Sequence, residues 1–191
     1  LRKRGIGTIV KSTAIKKNDP VTNNASESKS DKKPLFGLIF TNFDGSFGNT
    51  LLFNIIDASA NKCNFILKLT DGSPEKESKF IKELLDYGID GLIMLPAHSK
   101  HYSFEILKMV VNRFPLVLVD RIFKGLAVSS ISTDNVQAAQ LGVNHLFDLG
   151  HEHICVLFPE KESVTTIEDR LMGIVKGFSD RKKTVEMDLW I

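Results

Sequence analysis

Asp90-Gly91-Leu92-Ile93-Met94-Leu95-Pro96 and Pro115-Leu116-Val117-Leu118-Val119-Asp120-Arg121 decide the fold of this chain. Each holds an apolar run of strand length closed by a proline or a charged pair, and a stretch of helical period lies between them. Runs without polar alternation suit strands covered on both faces, the condition of a parallel sheet. Comparable runs occur at residues 35–40, 65–69 and 153–158.

The segments between these runs carry apolar stripes at helical spacing. Phe47, Leu51, Leu52, Ile55, Ile56 and Ser59 form one, and Phe80, Ile81, Leu84 and Leu85 a second. Ser73 caps the second helix, Pro74 suits its first turn, Glu75 and Glu77 favour its positive end, and Gly88 suits its exit. Phe104, Leu107, Val111 and Phe114 predict a third stripe, ended by Pro115. Asp134 is placed to cap a fourth helix bearing Val136, Ala139, Val143, Leu146 and Phe147, which stops at Gly150. Strands alternating with helices require right-handed crossovers. The expected fold class is α/β, a parallel sheet with helices on both faces.

After Gly150 the pattern restarts with the strand at 153–158, a helix from Thr165 or Thr166 to Phe178, and a further strand expected within 185–191. A lone βα unit cannot bury both its faces, so the chain reads as a fragment of a longer protein, as does its first residue, Leu1. The expected organisation is therefore a remnant of an upstream domain at 1–10, a flexible basic linker at 11–33, a first subdomain at 34–149 and the start of a second at 150–191.

With 191 residues and 42% apolar content the chain can bury one substantial core. Its apolar runs fall far short of the roughly 20 residues that span a bilayer. No secretory signal precedes them. Cys63 and Cys155 have no metal-ligand spacing, and a reduced, cytoplasmic setting is the simplest reading. The overall charge of +2 hides an asymmetry: residues 1–33 hold nine Lys or Arg against three acidic residues, the remainder sixteen against twenty. A basic arm beside an acidic globule fits a segment close to nucleic acid, and it equally fits a solvated lysine-rich linker.

Several motifs in order resemble the effector-binding domain of LacI/GalR-family transcription regulators. They are Gly37-Leu38-Ile39, Thr70-Asp71-Gly72, Asp90 to Pro96, Pro115 to Arg121, Thr133-Asp134-Asn135, His145-Leu146, Leu149-Gly150-His151 and Arg170-Leu171-x-Gly173. At the first turn Gly45-Ser46-Phe47-Gly48 stands where the family commonly has Asn-Pro-Phe-Phe. Arg4-Gly5-Ile6-Gly7-Thr8-Ile9-Val10 resembles the second wing strand of a GntR-type winged helix, and a GntR-type reader joined to a LacI-type sensor is the arrangement of arabinose repressors. The resemblance implies the type I periplasmic-binding-protein fold, a sugar-type effector held between two subdomains, a homodimer and operator DNA bound through an upstream domain.

Asp120-Arg121 directly follows a buried strand, where a carboxylate accepts paired hydroxyls and a guanidinium donates in a fixed fork. The resemblance implies ligand contacts at Asp120 and Arg170; a structural ion pair is the alternative for each. Asp71, Phe43 and Phe47 are further ligand candidates, the rings by stacking on an apolar sugar face, although a Phe opening an amphipathic helix also suits the core. His145 reads as a satisfied core residue, and His151-x-His153 and His98-x-x-His101 lack a third ligand at metal spacing. No nucleophile elbow, P-loop or complete dinucleotide fingerprint occurs, so no enzyme, metal or cofactor is expected. A transport-type sugar-binding protein is the alternative within the same fold.

Overall fold

The sheet forms because five short segments each offer a row of backbone donors and acceptors flanked by side chains that cannot stay in water. In the computed structural model, which describes residues 32–42, 46–98, 102–157 and 165–190 (with the side chains of 46, 47 and 187 excepted), these are β1 (Leu35–Phe40), β2 (Asn64–Leu69), β3 (Gly91–Met94), β4 (Leu116–Val119) and β5 (Ser129–Ile131). They pair in the order β2-β1-β3-β4-β5, every pair parallel, with Phe36 beside both Phe65 and Gly91, Leu92 beside Leu116 and Val117 beside Ser129. All five carboxyl ends therefore share one edge.

Alternation along β1 divides the core. Ile39 joins Ile81 and Leu84 of α2 (Pro74–Asp86) and Ile106 and Met109 of α3 (Phe104–Val111) in one cluster, all at most 1% exposed. Leu38 and Phe40 face the other way, against Leu51, Leu52 and Ile55 of α1 (Ser46–Ala58). Helices thus cover both faces, as expected of an α/β sheet. Each side chain so buried contributes about 1.5–3 kcal/mol. The ends follow local chemistry: Ser73 Oγ accepts from Lys76 N at 3.2 Å to cap α2, and Ser103 Oγ accepts from Ile106 N at 3.4 Å to cap α3.

A third apolar cluster belongs to the last part of the chain. Val143, Leu146 and Phe147 of α4 (Asn135–Asp148) pack with Ile174 and Phe178 of α5 (Thr165–Asp180) and with Ile154. Two glycines let these helices approach. A Cβ on Gly173 would lie 2.1 Å from Val136 O, and one on Gly177 would lie 2.8 Å from Val143 Cγ1. Asp134 Oδ1 accepts from Gln137 N at 3.0 Å and caps α4, as its place in the sequence predicts.

Several expectations are corrected. β5 lies outside the apolar runs: Ser129, Ser130 and Ile131 are exposed, and this edge strand is held by backbone pairing to β4 rather than by burial. Within 153–157 only Val156 pairs, in an isolated parallel bridge to Trp190. Where a strand was expected near the end, Met187–Leu189 form a 3-10 helix. The buried stripe of α3 is Ile106 and Met109, whereas Phe104 and Val111 are 73% and 79% exposed: the helix is rotated so that its central residues meet the sheet. His145 is exposed on α4 rather than in the core.

Candidate functional site

The two edges of the sheet differ in chemistry. At the amino-terminal edge Asp90 is structural: its Oδ2 accepts from Leu35 N and its own N–H donates to Leu35 O, both at 2.7 Å, tying β3 to β1. A cavity of about 830 Å³ opens at this edge, lined by apolar groups such as Phe36, Ile55, Phe65, Ile93 and Val117. Its walls are mainly apolar, with Lys62, Arg113, Ser59 and Ser129 as the polar side chains that line it.

Polar groups converge at the carboxyl edge. β2 is followed directly by Thr70, fully buried, whose N–H and hydroxyl both donate to Phe40 O, at 2.9 and 3.3 Å. Asp71 follows with φ 52°, and its carboxylate receives Lys76 Nζ at 2.5 Å. β4 is followed directly by Asp120, at φ 63°, whose N–H donates to Ile131 O at 2.8 Å. The left-handed conformation costs a side-chain-bearing residue roughly 1–2 kcal/mol, least for Asp and Asn. It turns the chain sharply at both strand ends and sets two carboxylates there.

Arg121 is committed to the next exit. Its Nη1 donates to Pro96 O at 3.2 Å and Ala97 O at 2.8 Å, the two carbonyls just beyond β3. Between those two carbonyls lies the Ala97 N–H, which donates to Oε2 of Glu77 at 2.6 Å; Glu77 is 3% exposed. Burial pushes the Glu77 carboxyl up to about 7, opposed by the Ala97 N–H and the Arg121 charge. Glu77 occupies the apolar stripe of α2 with Ile81 and Leu84. That spacing was the signal for it in the sequence, where it reads as an acid near a helix start.

On the helical side, Arg170 Nε donates to Asn135 Oδ1 at 2.9 Å, and Asn135 Nδ2 donates to Thr133 O at 3.2 Å. Asn135 is 5% exposed. It stands beside the cap of α4 and orients the guanidinium of Arg170. Lys124, after β4, reaches α5 at Asp169 Oδ1 (3.1 Å) and Glu168 Oε2 (3.7 Å), and the Asp169 hydrogen bond raises its pKa.

The predicted site residues thus divide into groups. Asp120 and Arg121 share one strand exit, and Arg121 ties it to the exit of β3. Arg170 sits with Asn135, and Asp71 with Lys76. Phe43 lies outside the described residues, as do the Phe47 side chain and His101. Among the described residues no group of three or more His, Cys, Asp or Glu could hold a metal, and no helix is long and apolar enough to cross a membrane. His153 Nδ1 lies 2.9 Å from Glu186 Oε1 on the surface.

A parallel sheet with polar exits and a helical pair beyond them agrees with what comparison with known proteins finds. The family model of periplasmic binding proteins and the sugar binding domain of the LacI family matches residues 33–187. The chain belongs to this family.

Its relatives are transcription regulators. It is 28% identical over 164 residues to the HTH-type transcriptional regulator EndR of Paenibacillus polymyxa, covering 84% of this chain and 48% of that protein. It is 29% identical over 115 residues to the arabinose metabolism transcriptional repressor of Halalkalibacterium halodurans, covering 59% of this chain and 30% of the repressor. The fold matches the crystal structure of transcription regulator CcpA of Lactococcus lactis with a TM-score of 0.70 at 23% identity, over 84% of this chain and 58% of that one. The chain spans about half or less of the length of these curated relatives.

Proposed function

We propose that the chain is the effector-binding part of a cytoplasmic transcription repressor that binds a small sugar at the carboxyl edge of its sheet and is not an enzyme. The observation that carries this reading is a LacI-family sugar-binding fold whose β4 exit carries Asp120 and Arg121, the latter tied to the β3 exit, and whose helical pair carries the Arg170–Asn135 contact. Carboxylates accept from vicinal hydroxyls and guanidinium groups donate to them, so the site suits a polyol better than an apolar ligand. Asp71 supplies a further carboxylate to this edge, and Phe43 and Phe47 are assigned to stacking on the sugar.

The sequence puts the boundary between the two subdomains after residue 149; the apolar core that α4 shares with α5 supports a crossing ahead of α4 instead. Ligand binding would draw the sheet and the α4–α5 pair together, and it can alter DNA affinity only by as much as it discriminates between the two arrangements. The basic segment 1–33 favours this role over transport: it places net positive charge beside the upstream reader, of GntR type, through which a homodimer would bind a palindromic operator.

The test is operator binding by the full-length protein, followed by anisotropy, with and without a panel of pentoses, hexoses and phosphosugars. The expected outcome is that one member of the panel changes DNA affinity and binds by calorimetry. If none does either, the reading fails.

A further inference from the structure

Ligand-binding edges built from strand exits need their loops held still, and here one exit is held by a group that no sugar needs to touch. Glu77 is buried in the apolar stripe of α2, with its carboxylate 2.6 Å from Ala97 N. Arg121 reaches the same peptide from β4, through the carbonyls of Pro96 and Ala97. The N–H and carbonyl groups of one short segment are thus gripped by an anion and a cation. Arg121 and the neighbouring Asp120 are thereby fixed relative to β3.

We propose that Glu77 is a positioning residue for the sugar site: by locking the Pro96–Ala97 segment it sets the place of Arg121 and Asp120, and so ligand affinity. This rests on the sugar-binding reading above. A simpler structural role, filling α2's buried stripe, would be served as well by Leu; a carboxylate there costs desolvation that an apolar residue would avoid. The ionised form grips Ala97 N–H more strongly than the neutral acid, because charge-assisted hydrogen bonds are the stronger class.

The groups around Glu77 define what else could titrate with it. From β4's exit comes Arg121; from the segment after β3, His98 and Tyr102, which with Glu75, Ser78 and Ser103 line a small cavity of about 280 Å³ beside Glu77. From α3 comes Glu105, which is tied to Lys82 of α2 at 2.9 Å. The hydrogen bond from Lys82 holds the Glu105 carboxyl below the usual carboxylate range. His98 is the imidazole that lines the same small cavity as Glu77, whose carboxyl is pushed up to about 7. A His98→Gln background therefore separates the two.

The experiment follows the Ala97 amide by NMR across pH 5.5–8.5 in the full chain and measures, over the same range, the affinity of whichever panel sugar binds. In wild type and in His98→Gln, the Ala97 amide is expected to titrate near pH 7, and sugar binding to weaken roughly tenfold on acidification, the worth of one charge-assisted hydrogen bond. In Glu77→Gln, which keeps an acceptor for Ala97 N–H, both pH dependences should vanish. An Ala97 amide that does not titrate, or that titrates equally in Glu77→Gln, overturns the proposal. A titrating amide with pH-independent sugar affinity overturns the positioning role and leaves the sugar reading intact. If the amide titrates but no panel sugar binds wild type, the sugar reading fails and Glu77's part in binding falls with it.

Discussion

The two edges of this sheet are built from the same five strands and do opposite things with them. At the amino-terminal edge a single carboxylate, Asp90, ties β3 to β1, and the space beside it is large and mainly apolar. At the carboxyl edge charged and buried polar groups hold the strand exits. The contrast separates room from polar chemistry: volume marks where mainly apolar surface is uncovered, and the charged groups at the other edge are those to which the proposed sugar is assigned. It also explains why parallel topology matters, since only parallel strands gather all their exits on one side.

The comparison can be broken or sharpened by substitution. The largest effect is expected from Gly173→Leu, because even a Cβ there would meet Val136 O at 2.1 Å, so α5 must part from α4. Overpacking of this kind costs about 3 kcal/mol. It should lower the thermal midpoint and abolish sugar binding, because Arg170 loses Asn135. A variant that kept both would show that the helical pair is not needed at the carboxyl edge.

Arg121→Ala comes next. It strips two backbone carbonyls of a charged donor, worth roughly 1.5–3 kcal/mol, and is expected to cost both stability in urea and at least tenfold in sugar affinity. Asp90→Ala is its counterpart across the sheet. Losing the bond to Leu35 N should cost about 1 kcal/mol of stability and leave calorimetric sugar affinity unchanged; a change in affinity would couple the edges that the structure separates.

Glu77 gives a pH signature with a definite sign. Its carboxyl is raised in the folded state relative to an ordinary carboxylate, so the folded protein holds the proton more tightly than the unfolded chain. Stability is therefore full below about pH 4.5 as far as this group is concerned, and declines as pH rises from there through about 7. Differential unfolding of wild type and Glu77→Gln across that window should show the variant gaining relative stability as pH increases. The smallest effect is expected for Lys124→Ala. Its bonds to Asp169 and Glu168 lie at the surface, where such pairs contribute about 0–1 kcal/mol and fade with salt; a sugar affinity that becomes insensitive to salt in this variant would identify the pair as the contact that helps the sheet and α5 close.

Much of this was legible in the chain. Uninterrupted runs such as 91–95 and 116–119 read as covered strands, and all but Ile93 and Val117 in them are buried. Ser73, Asp134 and the exit at Asp120 follow from local chemistry, because a cap or a sharp turn needs only its own neighbours. What escaped notice depends on distant neighbours. β5 has no apolar signature because an edge strand is stabilised by its partner's backbone. The rotation of α3 was hidden because Phe104 and Val111 are as apolar as Ile106 and Met109, and only the sheet chooses between the two stripes. Glu77 looked like a charge suited to a helix start, since nothing nearby in sequence reveals that Ala97 lies against it.

By itself, then, the sequence determined the class of fold, the order of its elements and the edge at which chemistry gathers, because hydrophobic period and capping are properties of adjacent residues. Which groups touch was decided by tertiary structure alone. Arg121 lies 24 residues from Ala97, Glu77 lies 20 from it, and Arg170 lies 35 from Asn135. Those pairings exist only after crossover helices have laid separate strands side by side.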